Sequence, residues 1–189
     1  MKKIFSISLE DDFRLMVRLQ AAALLLLLPS AYLFYLPVSG AYSSPLSLLL
    51  NPVGMPYRIL DWLLIAAGIF FVMLLHELVH AGMFKLFAPK HNSVIIGFGG
   101  GFAYAGAPNI LYPRRQYAAI GLAPFLVISL LSIPLLRCLP AGTAAVVFTA
   151  AVFNTSGSVG DFYITYRVLK APMGTYIRDK GTEFIAYML

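Results

Sequence analysis

Charged residues are scarce in this chain. Asp, Glu, Lys and Arg make up 12% of its 189 residues, whereas 60% are hydrophobic, and the mean hydropathy is +0.81. This composition lies outside the range of soluble globular domains and indicates a protein that resides in a lipid bilayer. The net charge of +6 does not point to nucleic acid as a partner, because the basic residues flank apolar runs and form no basic stripe with interleaved aromatic residues.

Cysteine is nearly absent as well. Cys138 has no second cysteine in the chain, which excludes an internal disulfide and a metal site built from several cysteines. The length leaves room for one domain. We therefore predict a single membrane-embedded domain over residues 1–189, with an accessory first helix at 19–36, a catalytic core at 62–169 and a cytoplasmic tail at 170–189.

Four apolar stretches are long enough to cross the hydrocarbon core of a bilayer, which takes about 20 mainly apolar residues. They cover residues 19–36, 62–84, 117–136 and 143–169. We therefore predict an all-α integral membrane protein with about four transmembrane helices and with the lipid bilayer as its surroundings. The first stretch is expected to be retained as a helix rather than cleaved as a signal peptide, because the polar leader from Ser6 to Arg18 is long.

Lysine and arginine residues are concentrated in every second segment between these stretches. Four precede the first stretch, four lie between the second and third, and four lie at or beyond the end of the fourth. These are Lys2, Lys3, Arg14, Arg18, Lys85, Lys90, Arg114, Arg115, Arg167, Lys170, Arg178 and Lys180. The two other segments contain only Arg58 and Arg137, respectively. The positive-inside rule then predicts a multi-pass protein of the cell membrane with both termini in the cytoplasm.

The second stretch contains the sequence His76-Glu77-Leu78-Val79-His80 near its end. On a helix, this spacing puts two imidazoles one turn apart on one face, where both can bind a single zinc ion. Glu77 then lies beside the metal as a candidate general base. Ionisable side chains are costly inside an apolar span, so their presence there indicates a functional site.

Asp161 in the fourth stretch is a candidate third ligand. At about 1.5 Å per helical residue, His76 and His80 lie roughly 21 to 27 Å along the second stretch, and Asp161 lies about 27 Å along the fourth. Both stretches run toward the cytoplasm, so the three side chains are expected at the same level near that side. A buried carboxylate needs a cation or a proton, and a zinc ion held by two histidines supplies the charge.

Other assignments are open on sequence grounds. Asp161 could instead cap a helix or form an ion pair with Arg167. His91, Asp179 and Glu183 are rival ligands, although all three lie in predicted cytoplasmic segments and would have to fold back toward the histidines.

Asn154 is the second candidate catalytic residue. With Gly157 and Asp161 it follows the spacing i, i+3, i+7, which corresponds to one face of a helix. Small residues from Thr155 to Gly160 would let a neighbouring helix approach closely. Asn154 could stabilise an oxyanion, or it could form an ordinary hydrogen bond between helices.

The segment from Asn92 to Pro108 combines β-favouring residues with the three glycines Gly99 to Gly101. It predicts a β-hairpin or a re-entrant segment at the cytoplasmic face. An exposed strand edge there could hold an extended peptide beside the zinc ion. The alternative is a plain loop at the membrane surface.

Together these motifs resemble the putative zincin peptidases, a family of small multi-pass bacterial membrane proteins related to the site-two intramembrane proteases. The resemblance covers the chain from about Trp62 onward and rests on Leu75 to His80, Tyr104 to Pro108, Arg115 to Tyr117, Ala123 to Phe125, Asn154 to Asp161, and Asp179 to Gly181. It implies zinc ligands at His76, His80 and Asp161, with Glu77 as the base. It also implies a bacterial plasma membrane location.

We therefore predict a zinc-dependent endopeptidase that acts on membrane-associated protein or peptide substrates, within the membrane or at its cytoplasmic surface. Zinc would polarise the scissile carbonyl and acidify water, and Glu77 would pass a proton from water to the leaving amine. The alternative is a non-catalytic metal-binding membrane protein that serves as a structural or regulatory subunit. Glu77 and the lack of an evident fourth protein ligand favour the enzyme, because structural zinc sites use four protein ligands.

Overall fold

The computed structural model describes residues 1–40, 44–45, 59–90, 94–99 and 102–188. Arg58, His91 and the glycines at positions 100 and 101, which entered the sequence interpretation, lie outside the described residues. Within the described part, four helical segments are long and apolar enough to cross a membrane, as the hydropathy predicted. These segments are Phe13–Val38, Ile59–Phe87, Arg114–Cys138 and Ala141–Lys170.

The helices that build these segments are α1 Phe13–Tyr35, α2 Ile59–Phe87, α3 Arg114–Cys138, α4 Ala141–Gly157 and α5 Val159–Lys170. The fourth segment, predicted as one helix, is divided between α4 and α5 at Ser158. The Ser158 backbone N–H and hydroxyl both donate hydrogen bonds to the Asn154 carbonyl, at 3.0 and 2.8 Å. Asp161 therefore lies in the first turn of a new helix.

The prediction of an all-α fold is wrong, because the described residues also form a five-stranded antiparallel sheet in the order β1-β5-β4-β3-β2. The strands are β1 Lys2–Ser8, β2 Ile95–Gly99, β3 Phe102–Pro113, β4 Thr175–Asp179 and β5 Glu183–Met188. β1 precedes the first span, and β4 and β5 come from the segment predicted as a cytoplasmic tail. Short strands that bury one face alternate between buried and more exposed positions, as β4 does, so a search for long apolar runs does not detect them.

The predicted hairpin between the second and third spans is confirmed. β2 and β3 pair antiparallel, with Ile95 opposite Gly106 and Ile96 opposite Ala105. β3 then continues past the end of β2 and pairs with β4, where Ala107 lies opposite Asp179. The hairpin is thus an extension of the sheet, and β2 is an edge strand.

The structure divides into two compact units. The sheet unit comprises Met1–Gln20, Leu75–Pro124 and Val159–Leu189, and the helical unit comprises Ala21–Leu74 and Phe125–Ser158. Each of the four candidate spans contributes one end to the sheet unit and the rest to the helical unit. The core of each unit is apolar and largely excluded from solvent.

The core of the sheet unit is built around aromatic rings. The Phe84 ring lies 5.3 Å from that of Tyr112 and 6.4 Å from that of Tyr117, measured between centroids. The Tyr112 hydroxyl donates a 3.0 Å hydrogen bond to the Phe84 carbonyl, so the end of α2 is tied to β3. Because Phe84 lies one turn after His80, this packing also fixes the helical turn that carries the histidines.

Candidate metal centre

The two histidines of the HExxH sequence lie one turn apart on α2, with ring centroids 4.9 Å apart and ring planes inclined by 74°. Asp161 of α5 lies opposite them. Its Oδ2 is 3.0 Å from His76 Nε2, and its Oδ1 is 3.4 Å from His80 Nε2. The metal-binding atoms of the three side chains all lie within 4.8 Å of one another. The structure therefore brings together the three residues that were predicted as ligands.

This arrangement fits a zinc ion. Zinc binds histidine nitrogen and carboxylate oxygen at about 2.0–2.2 Å, so two ligand atoms of a tetrahedral site are about 3.4 Å apart. The separations of 3.0 and 3.4 Å from the Asp161 oxygens are close to that value. Two imidazoles and one carboxylate also match the donor set of catalytic zinc sites, in which three protein ligands leave one position for water or substrate.

The second nitrogen of His80 defines the tautomer of its ring. His80 Nδ1 lies 3.1 Å from the Ile120 carbonyl oxygen of α3, in a buried position. A carbonyl oxygen can only accept, so Nδ1 carries the proton and donates it. The ring nitrogen left to bind a metal ion through its lone pair is then Nε2, the atom that faces Asp161. Such a contact orients a metal-binding histidine and increases its basicity.

Glu77 does not belong to the ligand group, although it lies between the two histidines in sequence. Its half-buried side chain interacts electrostatically with both histidines, with Asp161 and with the backbone of Ala105 in β3. These interactions are those expected of a general base beside the candidate metal position.

The rival ligands have other partners. Asp179 is 3% exposed and accepts hydrogen bonds from the Tyr117 hydroxyl at 2.6 Å and the Gly181 N–H at 2.7 Å. Burial raises the pKa of Asp179 to about 7. Glu183 forms an exposed ion pair with Lys180 at 2.7 Å. Neither residue is part of the group around His76.

Arg167 contacts other residues in place of the alternative ion pair with Asp161. One guanidinium nitrogen donates to the Tyr163 hydroxyl at 2.8 Å, and the guanidinium carbon lies 5.2 Å from the centre of the Phe5 ring. Asp161 does lie in the first turn of a helix, where a carboxylate interacts favourably with the helix dipole. That interaction is compatible with metal binding.

Asn154 belongs to α4 in the helical unit, whereas the three candidate ligands belong to the sheet unit. It is buried, and its carbonyl accepts the two hydrogen bonds from Ser158. Asn154 and Asp161 would share one helix face only on an unbroken helix, and the structure breaks that helix at Ser158. A catalytic role for Asn154 stays a prediction.

Two contacts beside the site are not predictable from the sequence alone: the bond of the Ile120 carbonyl with His80 and the pairing of Tyr117 with Asp179. Tyr117 and Asp179 do lie in sequence blocks that carried the resemblance, which was the available signal for them. A backbone carbonyl has no residue signature of its own. Only the presence of Pro124 four residues later distinguishes Ile120 from its neighbours.

Comparison with known proteins gives one finding. A protein-family model described as "Putative zincin peptidase" matches residues 69–176. The match spans more than half of the chain and includes all three candidate ligands and Glu77. No curated protein and no solved structure matches the chain.

Proposed function

This chain belongs to the putative zincin peptidase family, and on that premise we propose that it is a zinc metallopeptidase that hydrolyses peptide bonds of membrane-associated proteins. The observation that carries the proposal is the convergence of His76, His80 and Asp161 within 4.8 Å, with Glu77 in the same helical turn as the histidines. A general base between two histidine ligands serves hydrolysis, whereas a structural zinc site would gain nothing from it.

The zinc ion would be held by Nε2 of each histidine and by the Asp161 carboxylate. When bound, zinc supplies a Lewis acid that polarises the scissile carbonyl and makes water acidic near neutral pH. The chain supplies the remaining chemistry. The Glu77 carboxylate accepts a proton from the attacking water, and it then donates that proton to the amide nitrogen as the C–N bond breaks. The backbone of Ala105, which interacts favourably with the Glu77 carboxylate, would help to hold it in place for both transfers.

A membrane-associated substrate is supported by the position of the ligands in the sequence. His76 and His80 belong to the apolar segment Ile59–Phe87, and Asp161 belongs to Ala141–Lys170. We propose that the sheet unit faces the cytoplasm, because it contains most of the lysine and arginine residues that orient the chain. The pairing of β1 with β5 is consistent with both termini lying on that side.

The hairpin offers a binding mode for the substrate. β2 is an edge strand, and its residue Ile96 pairs with Ala105, the residue that contacts Glu77. The side chains of Ile96 and Phe98 are 49% and 72% exposed. An extended peptide added to β2 would run close to the base, with its scissile bond free of helical hydrogen bonds. The edge of β2 is thus our candidate for the substrate-binding strand.

Glu77→Gln tests the proposal. The variant keeps the shape of the side chain but cannot take up a proton, so cleavage of single-span model substrates should fall by about 100- to 10,000-fold. Its zinc content should equal that of the wild type. Glu183→Gln is the matched control, because it makes the same change on a partly exposed strand residue outside the site and should leave both quantities unchanged.

Full cleavage by Glu77→Gln would refute the assignment of the base. Stoichiometric zinc without Glu77-dependent cleavage of any substrate would instead favour a metal centre that joins α2 to α5 in a structural or regulatory protein.

A further inference from the structure

We infer that Pro124 is a positioning residue for the metal centre. It removes the helical N–H group that would otherwise bond the Ile120 carbonyl, and it thereby leaves that carbonyl to hold His80. The inference rests on the proposed zinc site and adds to it a residue that does not bind the metal.

The first step concerns the backbone of α3. In an α-helix the N–H of residue i+4 donates to the carbonyl of residue i, so the helical partner of Ile120 is residue 124. That residue is a proline, which has no N–H. Pro124 is fully buried within the helix. A buried carbonyl without a partner is costly in apolar surroundings, and it must be satisfied from outside its own helix.

The second step identifies the donor that satisfies it. His80 Nδ1 lies 3.1 Å from the Ile120 oxygen. A proline ring also presses on the carbonyl four residues earlier, which turns that oxygen away from its own helix and toward a neighbouring donor. With Nδ1 committed to Ile120, Nε2 is the ring nitrogen left to bind a metal ion, and it lies 3.4 Å from Asp161 Oδ1.

Close packing on both sides holds the Ile120 carbonyl in place. A Cβ atom at Gly121 would lie 2.5 Å from Thr165 Oγ1, so α3 and α5 approach closely at the residue that follows Ile120. One turn before Ile120, the Tyr117 hydroxyl is bonded to Asp179 of β4 at 2.6 Å. The carbonyl is therefore fixed against both the sheet and the helix that carries Asp161.

Pro124→Ala tests this inference. Alanine restores the N–H, which competes with His80 for the Ile120 carbonyl. The affinity for zinc alone, measured by competition with a chelator in detergent, should fall about 10- to 100-fold. The thermal stability of the zinc-free protein should be unchanged or higher, because alanine is a much better helix former than proline. Pro134→Ala, the same change in the same helix but within the helical unit, should keep wild-type affinity.

A proline that only fills space would give the opposite pattern. Pro124→Ala would then lose thermal stability while its folded fraction bound zinc with wild-type affinity, and that result would overturn the inference. Wild-type protein that binds no zinc would overturn the proposed function itself. The two failures are therefore distinguishable.

A second measurement reports on the His80 ring directly. Nitrogen NMR of the zinc-bound wild type, labelled in its histidines, should show the His80 ring proton on Nδ1 and no proton on Nε2. In zinc-bound Pro124→Ala the resonance of the Nδ1 proton should move upfield, because its hydrogen bond to the Ile120 carbonyl is weakened. A proton on Nε2 in the zinc-bound wild type would refute the inference whatever the variant does.

Discussion

Buried hydroxyl groups bond within their own helix in the helical unit, whereas buried polar groups around the candidate site bond across elements of the sheet unit. In the helical unit, the hydroxyls of Ser30, Ser132 and Thr149 each donate to the carbonyl four residues earlier in the same helix. In the sheet unit, side chains bond across elements, as His80 does with Ile120 and Tyr117 with Asp179. Bonding within one helix needs no neighbour and suits a helix in lipid. Hydrogen bonds between elements fix the distances between side chains on different elements, and a catalytic site requires such fixed distances.

The apolar surface supports the same distinction. Leu25 and Leu28 of α1 are 78% and 80% exposed in the helical unit, a cost that a lipid environment removes. The sheet unit instead buries Asp179, Thr175 and Thr165 among its strands and helices. Paired substitutions, one in each unit, can therefore separate effects on zinc binding from effects on folding.

The largest effect is expected from Asp161→Asn. A neutral amide is a poor zinc ligand, so the purified variant should lose most of its zinc by elemental analysis and all detectable cleavage. Asp61→Asn makes the same change in the first turn of α2, within the helical unit. It should retain zinc and activity. Equal zinc content in the two variants would point to another third ligand.

The next prediction compares alanine substitutions at two glycines that are packed equally tightly. A Cβ at Gly121 would lie 2.5 Å from Thr165 Oγ1, and a Cβ at Gly68 would lie 2.5 Å from Val146 Cγ1. Each change to alanine should cost about 3 kcal/mol of folding free energy. Only Gly121→Ala should also weaken zinc binding, because it separates α3 from the helix that carries Asp161. The measurements are chemical unfolding in detergent and chelator competition.

Removal of Thr165 Oγ1, the atom that clashes with a Cβ at residue 121, should restore stability and zinc binding. With Thr165→Ala added to Gly121→Ala, the closest remaining atom of residue 165 is its Cβ, at 3.9 Å, which is ordinary contact. The double variant should regain stability and zinc affinity. If Thr165→Ala fails to improve either quantity, the close approach of α3 and α5 is not what positions Asp161.

A smaller loss of folding stability is expected when either of two similarly buried hydroxyl groups is removed, and the two losses should differ. Tyr117→Phe removes the bond to buried Asp179 and should cost about 2 kcal/mol, because it removes a partner from a buried carboxyl group. Thr149→Val removes a bond to the Ala145 carbonyl within one helix and should change stability by less than about 0.5 kcal/mol. Unfolding titrations of both variants check the difference. Equal losses would contradict the distinction between the units.

The smallest effect is a pH dependence in the sheet unit. The pKa of Asp179 is raised to about 7 in the folded protein from 3.8, so the folded state binds the proton more tightly than the unfolded state. The stability that this provides is complete below pH 4 and is lost as the pH rises through about 7. Between pH 6 and pH 8 the loss should be about 1 kcal/mol. Asp179→Asn should remove that difference from unfolding curves of zinc-free protein, and an identical slope in the variant would contradict it.

The sequence predicted the parts of this protein that depend on local pattern. The four apolar spans, the β2–β3 hairpin and the common level of His76, His80 and Asp161 follow from hydropathy, turn residues and the helical rise. The convergence of the three side chains was predictable because a carboxylate in an apolar span requires a positive partner.

The rest depended on contacts between distant segments. β1 pairs with β5 across almost the whole chain, with Lys2 opposite Met188, and neither strand is long or apolar enough to be recognised alone. Pro124 is visible in the sequence, but the donor that reaches the Ile120 carbonyl is known only from the fold. The break at Ser158 between α4 and α5 is likewise not revealed by the apolar pattern of the fourth span.

The account depends most on the identity of the zinc ligands, and zinc-edge X-ray absorption of the purified wild-type protein tests it most directly. The account predicts bound zinc with two imidazole ligands and otherwise oxygen neighbours, and it predicts loss of that spectrum in Asp161→Asn. Protein without zinc, or zinc bound through sulfur, would contradict the account.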